Sequence, residues 1–140
     1  MIVQLSNSYA VDEKRIYAVG FSNGGGMAHG LAVAQSSRFA AIVSMAGNLY
    51  KNVANSSNPS PTSILTIHGT LDGSRPYYDE SLLAGYYYNI ENMHSYWVEK
   101  NQCDDTPQES TFFSSGTIIH YTFENCNNGH SIEHYKVMNG

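Results

Sequence analysis

Charge is scarce in this 140-residue chain: Asp, Glu, Lys and Arg together make 14% of it, and seven basic residues face twelve acidic ones. No run of Lys or Arg occurs, and the formal net charge is −5. A nucleic acid or an anionic membrane surface therefore finds no electrostatic footprint here. Long apolar runs are also missing. The longest, residues 39–47, falls well short of the ~18 residues that span a bilayer. The first residues, Met1-Ile2-Val3-Gln4-Leu5-Ser6, lack the basic start and apolar core of a secretory signal. Only two cysteines are present, Cys103 and Cys126, and no C-x-x-C pair, which removes zinc-ribbon and thioredoxin-like readings. The two thiols are either bridged or separately buried. A bridge would close a loop of 23 positions, worth about 3 kcal/mol on a chain-entropy argument.

What is present is an ordinary globular composition, 41% hydrophobic, long enough for one domain and one core. Ile2, Leu5 and Tyr9 share one face of a helical period, so the chain opens as if inside an amphipathic helix. Residues 15–20 form a short apolar run ending in Gly20, as expected of a strand covered on both faces. Residues 23–35 follow at helical period through Met27, Leu31 and Ala34. Residues 41–46 and 64–68 are two further buried-strand candidates, closed by Gly47 and Gly69. Between them, residues 51–63 are rich in Asn, Ser and Pro and read as a surface loop. Residues 80–100 read as broadly helical, with Leu83, Tyr87, Ile90, Tyr96 and Trp97 as packing positions. The Tyr86-Tyr87-Tyr88 run reads as packing rather than as a polymer groove. Residues 117–125 and 131–137 are strand-like and flank Asn127-Asn128-Gly129, a tight-turn signal. Apolar strands alternating with helices predict an α/β domain over residues 1–140, its mostly parallel sheet flanked by helices. The closing β-hairpin is expected at the sheet edge.

Gly20-Phe21-Ser22-Asn23-Gly24 matches G-x-S-x-G, and it lies where a strand ends and a helix begins. That context is what a nucleophile elbow requires. The serine must sit on a strained turn so that its oxygen stands above the sheet. Side chains at Gly20 or Gly24 are expected to collide with the neighbouring strand or helix. The backbone N–H of Asn23, the residue after the nucleophile, is the expected oxyanion donor, aided by the positive end of the helix dipole. The Lys and spacing of a P-loop are missing, and so is G-x-G-x-x-G.

Asp72, 50 residues after Ser22, follows the strand at 64–68 in His68-Gly69-Thr70-Leu71-Asp72-Gly73. The order nucleophile, then acid, suits a hydrolase triad, with Asp72 orienting a histidine and stabilising its imidazolium. Asp79 is the second candidate for the acid. His68 reads as structural, His120 and His134 as ordinary sheet positions, and His94 as a helix residue with no evident partner. His130 is a weak substitute for the triad base. A metal shared by His130 and His134 is not expected, since four strand residues span roughly 13 Å. No cofactor is called for.

These residues resemble the secreted esterase family of polyhydroxybutyrate depolymerases and of the feruloyl and acetylxylan esterases of carbohydrate esterase family 1. The resemblance runs over nearly the whole chain. It rests on Val11-Asp12-x-x-Arg15-Ile16-Tyr17, the Gly20-Phe21-Ser22-Asn23-Gly24-Gly25 elbow, and Arg38-Phe39-Ala40-Ala41. It continues through His68-Gly69-Thr70-x-Asp72, Pro76-Tyr77, Trp97 ahead of Asn101-x-Cys103, Cys126, and the segment 133–137. The resemblance implies a partial α/β-hydrolase fold and carboxylic-ester hydrolysis by a Ser-Asp-His triad, with Ser22 and Asp72 in the first two roles. It also implies a Cys103–Cys126 disulfide, an extracellular or periplasmic location, and polyester or polysaccharide-linked ester substrates.

The sequence departs from that family at its ends. The family's base follows the final strand in a Gly-Gly-His-type turn, and this chain reaches Met138-Asn139-Gly140 at that point. The N-terminal strands that supply the second oxyanion donor are also missing. The expectation is a piece of a longer protein, with little turnover of its own. The rival expectations are a peptidase or dienelactone-type hydrolase on the same scaffold, and a non-catalytic polymer- or carbohydrate-binding relic.

Overall fold

A computed structural model describes residues 2–79, 81, 85–112 and 117–140. Among these, six strands form one sheet in the order β1-β2-β3-β6-β5-β4. β1 (Tyr17–Phe21), β2 (Ala41–Met45), β3 (Ser63–Gly69) and β6 (Ile132–Val137) run parallel. β5 (Ile118–Phe123) and β4 (Gln108–Phe112) extend the sheet beyond β6 in antiparallel fashion. The architecture is the mostly parallel α/β sheet expected, with one refinement. β5 and β6 are antiparallel partners, but β6 is inserted beside β3, and β4, a polar strand with no apolar alternation, forms the outer edge. The Asn127–Gly129 connection between β5 and β6 is a single 3₁₀ turn with both Asn128 and Gly129 at positive φ, as Asn and Gly permit.

Registration places residues in rows across the sheet. One row reads Ala18, Ile42, Ile64, Ile132, and the next Gly20, Ser44, Thr66, His134. Both rows face the helices. α2 (Asn23–Ala34) lies over β1 and β2, and α4 (Ile90–Asn101) over β3 and β6. α4 buries Ile90, Met93, His94, Trp97, Val98 and Asn101, the spacing of a single helical stripe. Trp97, Ile42, Leu49, Ile64, Ile90, Met93 and Ile132 are fully buried, each contributing about 1.5–3 kcal/mol relative to exposure. On the opposite face of β1, Tyr17, Val19 and Phe21 are 56%, 66% and 69% exposed, and β1 pairs only with β2 among the described residues.

The expected helix at 80–100 is shorter than its periodicity suggested. Asn89 caps it, its side chain accepting the N–H of Asn92 at 2.8 Å, so the helix begins at Ile90. Tyr87 precedes it and pairs with Tyr50 in an isolated antiparallel bridge. Glu80 and Leu83 lie outside the described residues. The loop at 51–63 opens with one helical turn, α3 (Lys51–Ala54). The opening helix, α1, covers Ile2–Ser8 and buries none of its residues. Cys103 and Cys126 form a disulfide that ties the end of α4 to the loop following β5.

Candidate active site

Ser22 occupies the turn between β1 and α2 with φ 54° and ψ −118°. A non-glycine residue in that region stores on the order of 1–3 kcal/mol of strain. Flanking contacts hold it there. The Ser22 N–H donates to the Met45 carbonyl at 2.8 Å, and the Ser22 carbonyl accepts the Gly26 N–H at 3.1 Å. Gly20 is required because a Cβ there would lie 2.0 Å from the Gly24 carbonyl oxygen. Gly24 itself is different: a Cβ at that position meets nothing within 4 Å. The collision expected there belongs instead to Gly25, whose Cβ would stand 2.5 Å from Ser44 Oγ and 3.1 Å from Gly47. α2 thus lies close on the β2 end because positions 25 and 47 both lack side chains. Ser22 is half-buried and Asn23 exposed. The Asn23 N–H is first in α2 and so has no intrahelical acceptor.

Asp72 follows β3. Because β1 and β3 are parallel, their C-terminal ends share one sheet edge, and both candidate residues lie there. Asp72 Oδ1 accepts the N–H groups of Ser74 and Arg75, each at 2.8 Å. Its Oδ2 lies 3.6 Å from His68 Nε2. His68 is buried, and its Nε2–H donates to the Arg75 carbonyl at 2.6 Å. Burial pushes its pKa down, against the opposing pull of the Arg75 carbonyl and Asp72, so this imidazole is a neutral brace for the acid loop. Asp79 turns away into its own loop, where Oδ1 accepts the N–H and hydroxyl of Ser81 at 2.8 and 2.6 Å.

Arg75 went unremarked in the sequence. Its Nη2 donates to Asn23 Oδ1, and its guanidinium lies 4.5 Å over the Tyr87 ring. Through this one residue the acid loop touches the elbow. Its sequence signal was faint: a rare basic residue three positions after the candidate acid.

His130 cannot stand in for the base. Its Nδ1 lies 3.2 Å from Ser63 Oγ, at the start of β3. Six residues of strand, about 20 Å, separate that edge from Asp72. His94 does have partners, contrary to expectation. Its Nε2 lies 2.8 Å from Thr66 Oγ1, which also lies 2.8 Å from His134 Nδ1. The one hydroxyl, which also donates to the Glu133 carbonyl at 3.4 Å, links the two rings. His134 Nε2 is 2.8 Å from the Tyr77 hydroxyl, and the two imidazoles lie 4.4 Å apart. His134 is therefore the hub of a buried polar chain rather than an ordinary sheet residue. A cavity of about 500 Å3 opens beside it, lined by Tyr77, His94, Tyr121, His134 and Lys136. Ser22 and Asp72 are not among its lining residues, and its imidazoles are hydrogen-bonded to Thr66 and Tyr77.

At the far end of β6, the Gly140 carbonyl accepts the Leu71 N–H at 2.8 Å, and the Asn139 N–H donates to Thr70 Oγ1 at 2.9 Å. The end of the chain is thereby laced to the acid loop.

A strained serine between a parallel strand and a helix, with an acid on the same sheet edge, is the geometry of an α/β-hydrolase. Residues 1–111 match the family model described as phospholipase/carboxylesterase. The chain belongs to that family. Its sequence is 28% identical over 123 residues to feruloyl esterase C of Emericella nidulans, covering 88% of this chain and 41% of the relative. It is 28% identical over 136 residues to feruloyl esterase B of Piromyces equi, covering 91% of this chain and 25% of the relative. The chain thus spans less than half the length of either curated relative. In this carboxylesterase-family domain the Ser22 turn and the Asp72 loop share one sheet edge.

Proposed function

We propose that this domain is the nucleophile-and-acid part of a serine carboxylesterase, with Ser22 as nucleophile, Asp72 as acid and the Asn23 N–H as oxyanion donor. The backbone of Ser22 carries the proposal: φ 54° and ψ −118° at a serine is a conformation that ordinary packing has no reason to maintain. The base would be a histidine that follows Gly140 in a longer protein. The lacing of Gly140 to Leu71 supports this, since a residue following Gly140 would emerge beside Asp72. That histidine removes the Ser22 proton as Oγ attacks the ester carbonyl, and the oxyanion is met by the Asn23 N–H. The histidine then protonates the departing alcohol, and water, activated in the same way, releases the acid.

The proposed substrates are ester-linked groups outside the cell. The names of the feruloyl esterase relatives favour aromatic acyl esters of plant polysaccharide over polyester. The disulfide suits an oxidising compartment.

The test has two parts. Reading the codons after Gly140 should show a histidine within a few residues. The protein extended through them should hydrolyse feruloylated or acetylated xylan, or hydroxybutyrate oligomers, and should spare peptides. Ser22→Ala should remove that activity. Ester hydrolysis that survives Ser22→Ala overturns the nucleophile. A stop codon after Gly140, with polymer binding but no turnover, would favour a non-catalytic relic.

A further inference from the structure

Beside the elbow stands the Arg75 guanidinium, whose described side-chain partners are uncharged, while the Arg75 backbone N–H donates to Asp72 Oδ1 at 2.8 Å. Arg75 donates Nη2 to Asn23 Oδ1 and stacks 4.5 Å over Tyr87. Tyr87 lies 4.2 Å from the Tyr50 ring, and that pair is fixed by backbone. The Lys51 N–H donates to the Tyr86 carbonyl at 2.9 Å, and the Tyr88 N–H to the Leu49 carbonyl at 3.0 Å. Hydrogen bonding from Tyr50, and then from Arg75, holds the Tyr87 phenol below its usual range, while Tyr50 is pushed up by its bond to Tyr87. The phenols and the guanidinium thus form one polar wall. Among the described residues no carboxylate oxygen lies within 4.0 Å of the Arg75 guanidinium, whereas Arg15 and Lys100 are paired with Asp12 and Glu99. In a chain of net charge −5, this guanidinium stands next to the residue that follows the proposed nucleophile. Arg75 is half-buried, but its contact with Asn23 is exposed to solvent, so a ligand can reach it. Stacking fixes the plane of its remaining N–H donors, the preorganised fork that binds carboxylates with two bonds.

We propose that Arg75 is a specificity-determining residue that takes a carboxylate borne by the substrate, so that among aliphatic esters of equal chain length those whose acyl chain ends in a free acid are turned over faster. The proposal rests on the esterase reading above for its chemistry, and on Arg75 alone for its charge preference.

Two measurements separate the claims. In the extended protein, kcat/KM is compared for an aryl hemiadipate and the matching aryl hexanoate. The ratio should favour the hemiadipate, should fall about tenfold (about 1.4 kcal/mol) in Arg75→Gln, and should be partly kept in Arg75→Lys. Salt should erode the ratio in the parent protein. A ratio that ignores both salt and the Gln substitution overturns the proposal. In parallel, Ser22→Ala is titrated calorimetrically with monomethyl adipate and with methyl hexanoate. Monomethyl adipate should bind, and binding should weaken about tenfold when Arg75→Gln is added. Equal binding of the two ligands, or no loss with Arg75→Gln, also overturns it. If neither aryl ester is turned over, the esterase reading fails while the titration still decides Arg75. If Arg75→Gln does not fold, as judged by its melting curve, Arg75→Lys and the salt series decide.

Discussion

At the loop edge of the sheet, Asp72, Arg75 and Asn23 keep polar atoms at or near solvent. One layer down, between helices and sheet, His29 of α2, His94 of α4 and His134 of β6 are buried. Both regions hold side chains capable of acid–base chemistry. In the interior, burial is the first cause of depressed pKa values, about 3 for His29 and His94 and about 2 for His134. The Trp97 indole N–H donates to His29 Nδ1 at 3.1 Å, and Thr66 and Tyr77 occupy the other two rings. Imidazoles held neutral by burial hold the sheet to its helices and stay unprotonated at neutral pH. The contrast teaches that clustering of titratable groups is a poor guide to chemistry unless a substrate can reach them.

Acid should reveal the contrast most strongly. The three buried histidines have folded pKa values well below the ordinary 6.5, so the unfolded chain binds their protons first. Their contribution to stability is complete above about pH 6.5 and is lost as pH falls toward 3. Each excluded proton costs about 1.4 kcal/mol per pH unit through that window. Melting curves between pH 7 and 4 should show a steep decline; a flat profile would mean these rings are protonated in place. Next comes Asp72→Asn in the extended protein, expected to lower kcat by about 10⁴-fold, the loss seen when a triad acid is neutralised, with the melting temperature almost unmoved. In the interior the balance reverses. Trp97→Ala should cost about 3–5 kcal/mol in denaturant unfolding, since it empties the core and strands His29 Nδ1. Smallest is Thr66→Val, at about 2 kcal/mol, because two imidazole nitrogens lose one shared hydroxyl. A larger loss of activity than of stability in Thr66→Val would erase the distinction between the two regions.

β1, β2 and β3 were legible because each is short, apolar and closed by glycine, whereas β4, Gln108–Phe112, is polar and fully exposed and gave no such pattern. The elbow was legible because strand, G-x-S-x-G and helix follow one another without a gap. The start of α4 was not, since Tyr86, Tyr87 and Tyr88 continue an apolar pattern through a segment that Asn89 then cuts off by capping. The buried histidine chain was also hidden. Thr66, His94 and His134 are far apart in sequence and meet only through the β3–β6 register and the stripe of α4. Gly24 misled because an elbow motif names two glycines, whereas here the close approach falls on Gly20 and Gly25. Arg75 was invisible as a functional residue because its partners, Asn23 and Tyr87, come from two other segments.

The exposed flank of β1 has a practical outcome. Tyr17, Val19 and Phe21 project from a strand whose outer backbone groups have no described partner, and such a border recruits further strands. Preparations of the 140-residue chain should self-associate as concentration rises, and charged substitutions at Val19 would be the first remedy for keeping it monodisperse.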